Sequence, residues 1–268
     1  MAKIKLSIII AISLCILTIS CKQNKVNPIE ILEKSYEKCS SIKCGYYETT
    51  KIINSQLDSF NIELKQNCYF KKIENDSIFS FMFSIKNYNI SFENTNPLFD
   101  SFPDYFENIN ALYDGEKLIW YSDKDTLAGL IKKEKITNEN IKPYYKSPVL
   151  GTFYPVTYKD CYPFPDSIEL NSENTIVKFI KNEKIEDNEC YHISANINKP
   201  NGDKYTKIIY EFWINKENYL PIAFSIDREG DFFEKHVLTK YEFDNLQDNS
   251  VFELDITFKN LKLVEVEN

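Results

Sequence analysis

The sequence predicts a mainly β protein of the α+β class, in which one N-terminal helix precedes an antiparallel sheet. Three observations predict this class. Apolar and polar side chains alternate along most of the chain after Gly45, which is the period of a strand buried on one side. The pair Asp114-Gly115 between two apolar runs is typical of a tight hairpin. Only one segment, before Gly45, has helical spacing.

The first twenty residues have the three parts of an export signal. Lys3 and Lys5 provide the positive end, and residues 6–19 form an apolar stretch that is too short to span a bilayer comfortably. The small residue Ser20 then precedes Cys21, as at a cleavage site. We therefore predict that residues 1–20 are a signal peptide that is removed in the mature protein.

Cys21 is the predicted lipidation site. Residues 17–21 (LTISC) resemble the lipobox of bacterial lipoproteins, in which the cysteine thiol takes a diacylglycerol before cleavage, although Thr18 stands where the lipobox prefers leucine. The alternative is an ordinary secretory signal that happens to precede a cysteine. Residues 21–27 are polar and are predicted to form a flexible tether. Acyl chains, such as palmitate, would then anchor the protein in the cell envelope.

The predicted anchor lies in a bacterial membrane, with the outer membrane favoured. The residue after Cys21 is lysine, and the lack of aspartate there resembles lipoproteins that are released to the outer membrane. The protein would then face the periplasm or the cell surface. We expect residues 28–268 to form a single domain, because no linker divides them.

Composition excludes several classes of partner and reaction. The formal net charge is −8 and Arg228 is the only arginine, so we expect no nucleic-acid partner, which would need a concentrated basic surface. No Gly-rich phosphate loop, Ser-containing elbow or metal-binding His pair is present in the sequence. We therefore predict no cofactor, no metal and no enzymatic activity. His192 and His236 are interpreted as half-buried sheet residues.

The cysteines leave two interpretations open. Cys15 departs with the signal and Cys21 carries lipid, which leaves five others. These are Cys39, Cys44, Cys68, Cys161 and Cys190. An oxidising periplasm would allow up to two disulfides, whose connectivity cannot be read from spacing. The favoured interpretation is that the cysteines are structural or simply small buried apolar groups.

The regular elements are predicted in chain order. A helix is expected over Pro28–Ser41, because proline suits the first turn and apolar residues recur every three or four positions. The predicted strands cover residues 60–70, 78–85, 88–92, 111–121 as a hairpin, 175–180, 190–197, 205–214, 220–227 and 232–243. Turns are predicted at Asn201-Gly202 and Glu229-Gly230. Residues 124–142 are expected to hold a short helix, and the proline-rich residues 143–165 an ordered loop or lid.

An ordered set of motifs resembles the LolA/LolB-like lipoprotein-carrier superfamily, over about residues 29–254. The motifs are residues 45–49 (GYYET), 67–72 (NCYFKK), 113–121 (YDGEKLIWY), 210–222 (YEFWINKENYLPI), 227–230 (DREG) and 241–245 (YEFDN) with 251–252 (VF). Similar domains also occur as the N-terminal part of envelope lipoproteins with a thioredoxin-like domain. The carriers have a functional arginine in their early strands, and residues 46–53 here contain none.

The resemblance implies a strongly curved antiparallel sheet, an incomplete barrel covered on its concave side by short helices and loops. In the carriers the concave face receives acyl chains. If this chain has such a cavity, aromatic side chains of the strands are the expected ligand-binding residues. They are Phe79, Phe81, Phe83, Tyr88, Phe92, Trp120 and Trp213. The alternative is that these aromatic side chains pack as an ordinary core.

Two functions from different classes therefore stand at this stage. The first is a non-enzymatic envelope lipoprotein that binds a lipid or a lipoprotein acyl chain in the concave sheet. The second is a protein-interaction or sensory module of the envelope, with a filled core and an envelope protein as its partner. In the second case the working surface would be a sheet edge or the aromatic loop at residues 143–165.

Overall fold

The computed structural model describes residues 26–56, 60–74, 81–94, 109–122, 127–136, 173–201, 204–245, 248–253 and 262–265. The predicted signal peptide, Cys21, most of the tether and the proline-rich residues 143–165 lie outside this part of the chain. No helix in the described part is both long and apolar enough to cross a membrane.

One α-helix, α1 (Pro28–Ser41), precedes the sheet and has the predicted bounds. Asn27 caps its first turn, where the Asn27 side chain accepts a hydrogen bond from the backbone N–H of Ile29 at 3.2 Å. The buried face of α1 carries Ile31, Leu32 and Cys39, which join the main apolar core. The helix therefore anchors the start of the domain onto the sheet.

Within the described residues, twelve strands form one sheet. They are β1 (Cys44–Ser55), β2 (Phe60–Lys72), β3 (Phe81–Asn94), β4 (Ile109–Tyr113), β5 (Lys117–Ser122), β6 (Leu127–Lys132), β7 (Thr175–Ile185), β8 (Asn188–Asn201), β9 (Lys204–Asn215), β10 (Pro221–Arg228), β11 (Phe232–Phe243) and β12 (Lys262–Glu265). Short 3₁₀ turns cover Lys133–Lys135 and Ser250–Phe252. The class is mainly β, as predicted.

The sheet consists of two antiparallel meanders. Its spatial order is β12-β6-β5-β4-β3-β2-β1-β11-β10-β9-β8-β7. The first meander runs outward from β1 to β6, and the second runs back from β7 to β11. The two meet where β1 pairs with β11, and β12 adds a parallel edge beside β6. The sheet is strongly curved and is not closed into a barrel, which confirms the predicted incomplete barrel.

The two faces of the sheet follow from the strand register. The inner face is defined here as the side of the sheet that carries five fully buried rings. They are Tyr47, Phe70, Phe83, Tyr113 and Phe212. These residues are linked across neighbouring strands by pairs such as Phe70 with Phe83 and Phe83 with Tyr113. The opposite side, which carries Glu48, is the outer face. The α1 side chains and the large rings of the inner face belong to one apolar cluster.

Two local predictions differ from the structure. Residues 124–142 are expected to hold a short helix, but residues 127–132 form the strand β6 and only a 3₁₀ turn follows at Lys133–Lys135; residues 124–126 and 137–142 lie outside the described residues. The predicted break after residue 85 is also wrong, because β3 continues to Asn94. A register shift between Glu63 and Lys65 absorbs an additional residue of β3 without ending the strand.

Candidate functional site

A group of polar residues crosses the otherwise apolar inner face. We call it the polar belt, and its members are Thr49, Lys51, Gln66, Asn87, Glu234 and His236. All except Glu234 are buried. On one side lies the main core, and on the other lies a separate apolar cluster around Ile53, Ile62 and Leu64. The inner face is therefore divided by the belt into two apolar regions.

The belt is assembled from four neighbouring strands. Residues at alternate positions of β1 share one face, so Thr49 and Lys51 both point inward. The register places Thr49 beside Gln66 of β2, and Gln66 beside Asn87 of β3. On the other side, Lys51 pairs with His236 of β11. Strand pairing therefore brings together residues that are far apart in the sequence.

Lys51, Glu234 and His236 form a connected ionic group. Lys51 Nζ lies 3.2 Å from Glu234 Oε1, and the lysine side chain is 0% exposed while that of Glu234 is 19% exposed. His236 Nε2 lies 2.6 Å from the same oxygen. A carboxylate only accepts hydrogen bonds, so His236 Nε2 is the donor. The His236 ring also stacks on Phe224, with 4.4 Å between ring centroids.

Burial and mutual charge decide the protonation states of this group. Burial and the Lys51 charge lower the pKa of His236 to about 4, against the opposing effect of Glu234, so the ring is neutral at neutral pH. Burial alone would raise the pKa of Glu234, but the Lys51 charge and the hydrogen bond from His236 hold it below its usual value. Burial lowers the pKa of Lys51, and Glu234 opposes this shift.

Sequence reasoning missed the polar belt. His236 was interpreted as a half-buried sheet residue, and neither Lys51 nor Glu234 was singled out. A signal was present, because Lys51 occupies an inward position in a strand whose neighbouring inward residues include Tyr47 and Ile53. What the sequence lacked was the pairing of β1 with β11, which sets Lys51 beside Glu234 and His236.

Three of the predicted ligand-binding residues lie on the inner face. Phe81 and Phe83 are buried there, and Trp120 is half-buried. Trp120 pairs with Ala111, which in turn pairs with Ile85 of β3. Phe79 lies outside the described residues. Phe92 pairs with Ile62 through the β2–β3 ladder, but its side chain is outside the described part.

Tyr88 and Trp213 lie on the outer face, which corrects their predicted position. The Tyr88 hydroxyl donates to Glu48 Oε2 at 3.1 Å. Trp213 follows Phe212 in β9 and therefore points to the opposite side. Its indole N–H donates to Glu183 Oε2 at 2.9 Å, on the outer face. Strand alternation explains Tyr88, because it directly follows Asn87, which shares the inner face with its partner Gln66.

Trp120 packs directly over Gly129 of the neighbouring strand β6. The two residues are cross-strand partners, and a Cβ atom built on Gly129 would lie 2.2 Å from two atoms of the indole ring. No side chain fits at this position unless the ring moves. Glycine at position 129 thus lets the tryptophan lie flat against the sheet.

We expect Gly129→Ala to lower the free energy of unfolding by about 1–2 kcal/mol, because the added methyl group displaces the Trp120 ring. The measurement is urea unfolding followed by circular dichroism. The control is the double variant Trp120→Leu/Gly129→Ala, in which the methyl group meets a smaller, flexible side chain. In the Trp120→Leu background the alanine should cost much less; an equal cost in both backgrounds would refute the steric explanation.

The outer face also carries partly buried polar side chains. His192 stacks on Trp213 with 4.6 Å between ring centroids, and its ring nitrogens lie 3.2 Å from Glu183 Oε2 and 3.5 Å from Glu211 Oε1. Lys235 Nζ lies 4.8 Å from the centre of a Trp213 ring. Within the described ranges, no group of three or more His, Cys, Asp or Glu side chains is placed to hold a metal ion.

A shallow depression of about 210 Å³ lies near the Glu48 side of β1. It is lined by Gly45, Tyr46, Tyr69, Lys240, Glu242 and Asn245. The rings of Tyr46 and Tyr69 are 4.5 Å apart, and Lys240 Nζ lies 5.4 Å from the Tyr46 ring centre. Because Tyr46 and Glu48 share the outer face, this depression is separated from the polar belt by the sheet.

The four described cysteines are free thiols. Cys39, Cys68 and Cys190 are buried, and Cys44 is half-buried. Burial raises the pKa of Cys39 to about 12 and that of Cys190 to about 11. The Cys39 and Cys190 thiols therefore stay protonated at neutral pH and pack as small apolar groups, in agreement with the favoured interpretation. Cys161 lies outside the described residues.

The sequence matches no family model, and no curated protein is similar to it. Several solved bacterial structures are similar to it in a comparison of structures. A LolA superfamily protein from Nitrosomonas europaea is 11% identical, with a TM-score of 0.35, and the match covers 86% of this chain and 99% of that one. Lipoprotein LppX of Mycobacterium tuberculosis is 7% identical, with a TM-score of 0.39 and coverage of 82% and 96%.

The MucA/MucB complex structure from Pseudomonas aeruginosa is also similar, at 8% identity and a TM-score of 0.47, covering 90% of this chain and 64% of that one. The predicted resemblance to LolA-like proteins is thus found among solved structures. The chain itself forms a curved, one-sided sheet that is not closed into a barrel. These structures do not show what this protein binds, so its function has to be inferred from its own residues.

Proposed function

We propose that this protein is a non-enzymatic envelope lipoprotein, anchored through Cys21, that binds the acyl chain of a lipid or lipoprotein on its inner face. The observation that carries the proposal is the composition of that face, which is broad and apolar but crossed by one polar belt. An amphiphile has the same arrangement, because its chain is apolar and its ester or carboxyl group is polar. Each methylene buried there would contribute about 0.8 kcal/mol.

Thr49 supports a polar role for the belt. Its hydroxyl oxygen is buried and has no hydrogen-bond partner among the residues that the structure describes. Leaving such a group unsatisfied costs about 1–3 kcal/mol, which an oxygen-containing ligand would recover. Lys51 lies two residues further along the same face of β1 and supplies a buried cation beside it. The ligand's polar end would therefore lie at the belt and its chain along Phe81, Phe83 and Trp120.

The two tryptophans of the chain make a direct test, because they lie on opposite faces of one sheet. Trp213→Phe keeps only Trp120, on the inner face, and Trp120→Phe keeps only Trp213, on the outer face. Bromine atoms quench tryptophan fluorescence on contact. We expect a brominated fatty acid to quench the tryptophan fluorescence of the full-length Trp213→Phe variant, with saturation. The fluorescence of the Trp120→Phe variant should be quenched much less.

Equal quenching of both variants would show non-specific association and would contradict the proposal. Native mass spectrometry of the purified full chain gives an independent reading. A lipid mass that co-purifies with the protein supports the assignment. No bound lipid, together with no saturable quenching of Trp120, would exclude it.

The second candidate is a protein-interaction or sensory module of the envelope. The observation that favours it is the complete burial of Phe70, Phe83 and Phe212, as in a filled core. In that case the inner face takes no ligand and a surface of the sheet does the work. Recovery of a specific envelope protein in a pull-down, without lipid uptake, would favour this candidate.

A further inference from the structure

The strand β7 forms one end of the sheet, and β8 is its only pairing partner among the described strands. A strand in this position presents backbone groups that can pair with another extended segment. The opposite end is different, because β12 has four residues where β7 has eleven. Of the two ends, β7 is therefore the one long enough to hold an added strand.

Apolar side chains are exposed along β7. Ile176 is 50% exposed and Ile180 is 47% exposed, and they are two of the four large apolar residues that the described part exposes to this degree. Both come from the same edge strand, four residues apart. An added strand would cover them, and this burial would favour its docking.

Charge indicates what kind of segment docks there. β7 contains Lys178, Lys181 and Lys184 and one acidic residue, Glu183, in a chain whose net charge is −8. Lys181 contacts Glu183 at 3.1 Å, and Lys184 contacts Asp187 at 3.6 Å, but both lysines are more than half exposed. Exposed ion pairs of this kind contribute about 0–1 kcal/mol and exchange readily for others.

The same lysines argue against a second copy of this chain as the occupant. Pairing two β7 strands would bring the lysines of both copies to one seam, and like charges on adjacent strands are destabilising. An acidic segment instead gains contacts with Lys178 and Lys181. We propose that β7 is a docking edge for a short, extended, acidic segment of a partner protein, which adds as a thirteenth strand.

The register of β7 limits the length of this segment. A shift in the β7–β8 pairing between Phe179 and Lys181 leaves Ile180 as an additional residue and divides the strand into two halves. Each half offers five residues of regular edge. The docking segment therefore needs about five extended residues, in which acidic and β-branched side chains alternate.

The experiment measures binding of two synthetic ten-residue peptides to the full chain by fluorescence anisotropy. One peptide alternates Glu with Val, and the other alternates Lys with Val. We expect the Glu peptide to bind at least about tenfold more tightly, and its affinity to fall as salt is raised. Hydrogen exchange should show new protection in residues 175–185 when the Glu peptide is bound.

Charge-reversal variants locate the effect. Lys178→Glu/Lys181→Glu should reverse the preference between the two peptides. Lys65→Glu/Lys72→Glu, which changes exposed lysines of the central strand β2 by the same charge, should leave it unchanged. The proposal is overturned if neither peptide binds, if both bind equally, if both double variants behave alike, or if the new protection lies outside β7.

Discussion

Glu234→Leu is expected to lower the free energy of unfolding by about 3 kcal/mol, as measured by urea denaturation at pH 7. The loss arises because Lys51 is 0% exposed and its ammonium would stay buried without the carboxylate at 3.2 Å. Removing one partner of a buried pair costs about 3–5 kcal/mol, and the partial exposure of Glu234 places the expected value at the lower end. His236 also loses its acceptor.

The matched variants separate charge burial from simple loss of contacts. Lys51→Met should cost less than Glu234→Leu, because the carboxylate that remains is partly exposed. The double variant Lys51→Met/Glu234→Leu should be more stable than Glu234→Leu alone, since no buried charge is left. Glu242→Leu, at an exposed position of the same strand, should change stability by less than about 0.5 kcal/mol. Strict additivity of the Lys51 and Glu234 effects would show that the two charges are not coupled.

Stability is expected to fall by about 2 kcal/mol between pH 7 and pH 5 because of His236. Its pKa is lowered from 6.5 to about 4 in the folded state, so the unfolded chain binds more protons in this interval. Stability therefore falls as pH falls, since each unit of pKa difference corresponds to about 1.4 kcal/mol. The stabilisation is fully present above pH 6.5 and is lost as pH falls through the folded pKa.

The check is urea unfolding of the wild type and of His236→Gln at several pH values from 7 to 5. Glutamine keeps a donor for Glu234 but does not titrate, so the variant should show a flatter dependence by about 2 kcal/mol. Glu234 also has a lowered pKa, and its contribution falls in the same direction, but mainly below pH 4.5. A slope equal to that of the wild type would mean that His236 is not the titrating group.

Local sequence signals were enough for the elements whose stability is itself local. Pro28 and the spacing of apolar residues predicted α1 with its observed bounds. Asp114 and Gly115 predicted the β4–β5 hairpin, and Asp114 Oδ1 accepts from the backbone N–H groups of Glu116 and Lys117 at 2.9 Å. Such turns depend on neighbouring residues alone, so a short window of sequence contains the necessary information.

The assignment of aromatic residues to faces was less successful because alternation depends on an uninterrupted register. In β3 the register shifts between Ser91, which pairs with Glu63, and Tyr88, which pairs with Lys65, so one alternation does not run through the whole strand. Trp213 was assigned to the inner face although the adjacent Phe212 lies there. In β9 both sides of the strand are apolar, since residues 212–214 are all buried, so alternation could not separate them.

The sequence by itself determined the mainly β class, the N-terminal helix and the alternating strands, because each follows from side-chain periodicity over a few residues. Only the tertiary structure decided that Lys51 of β1 meets Glu234 and His236 of β11, which are far apart in the sequence. It also decided that β7 is left at the edge of the sheet. Periodicity specifies which side chains of a strand lie on each face of the sheet. Which strand becomes its neighbour depends instead on pairing and burial over the whole sheet.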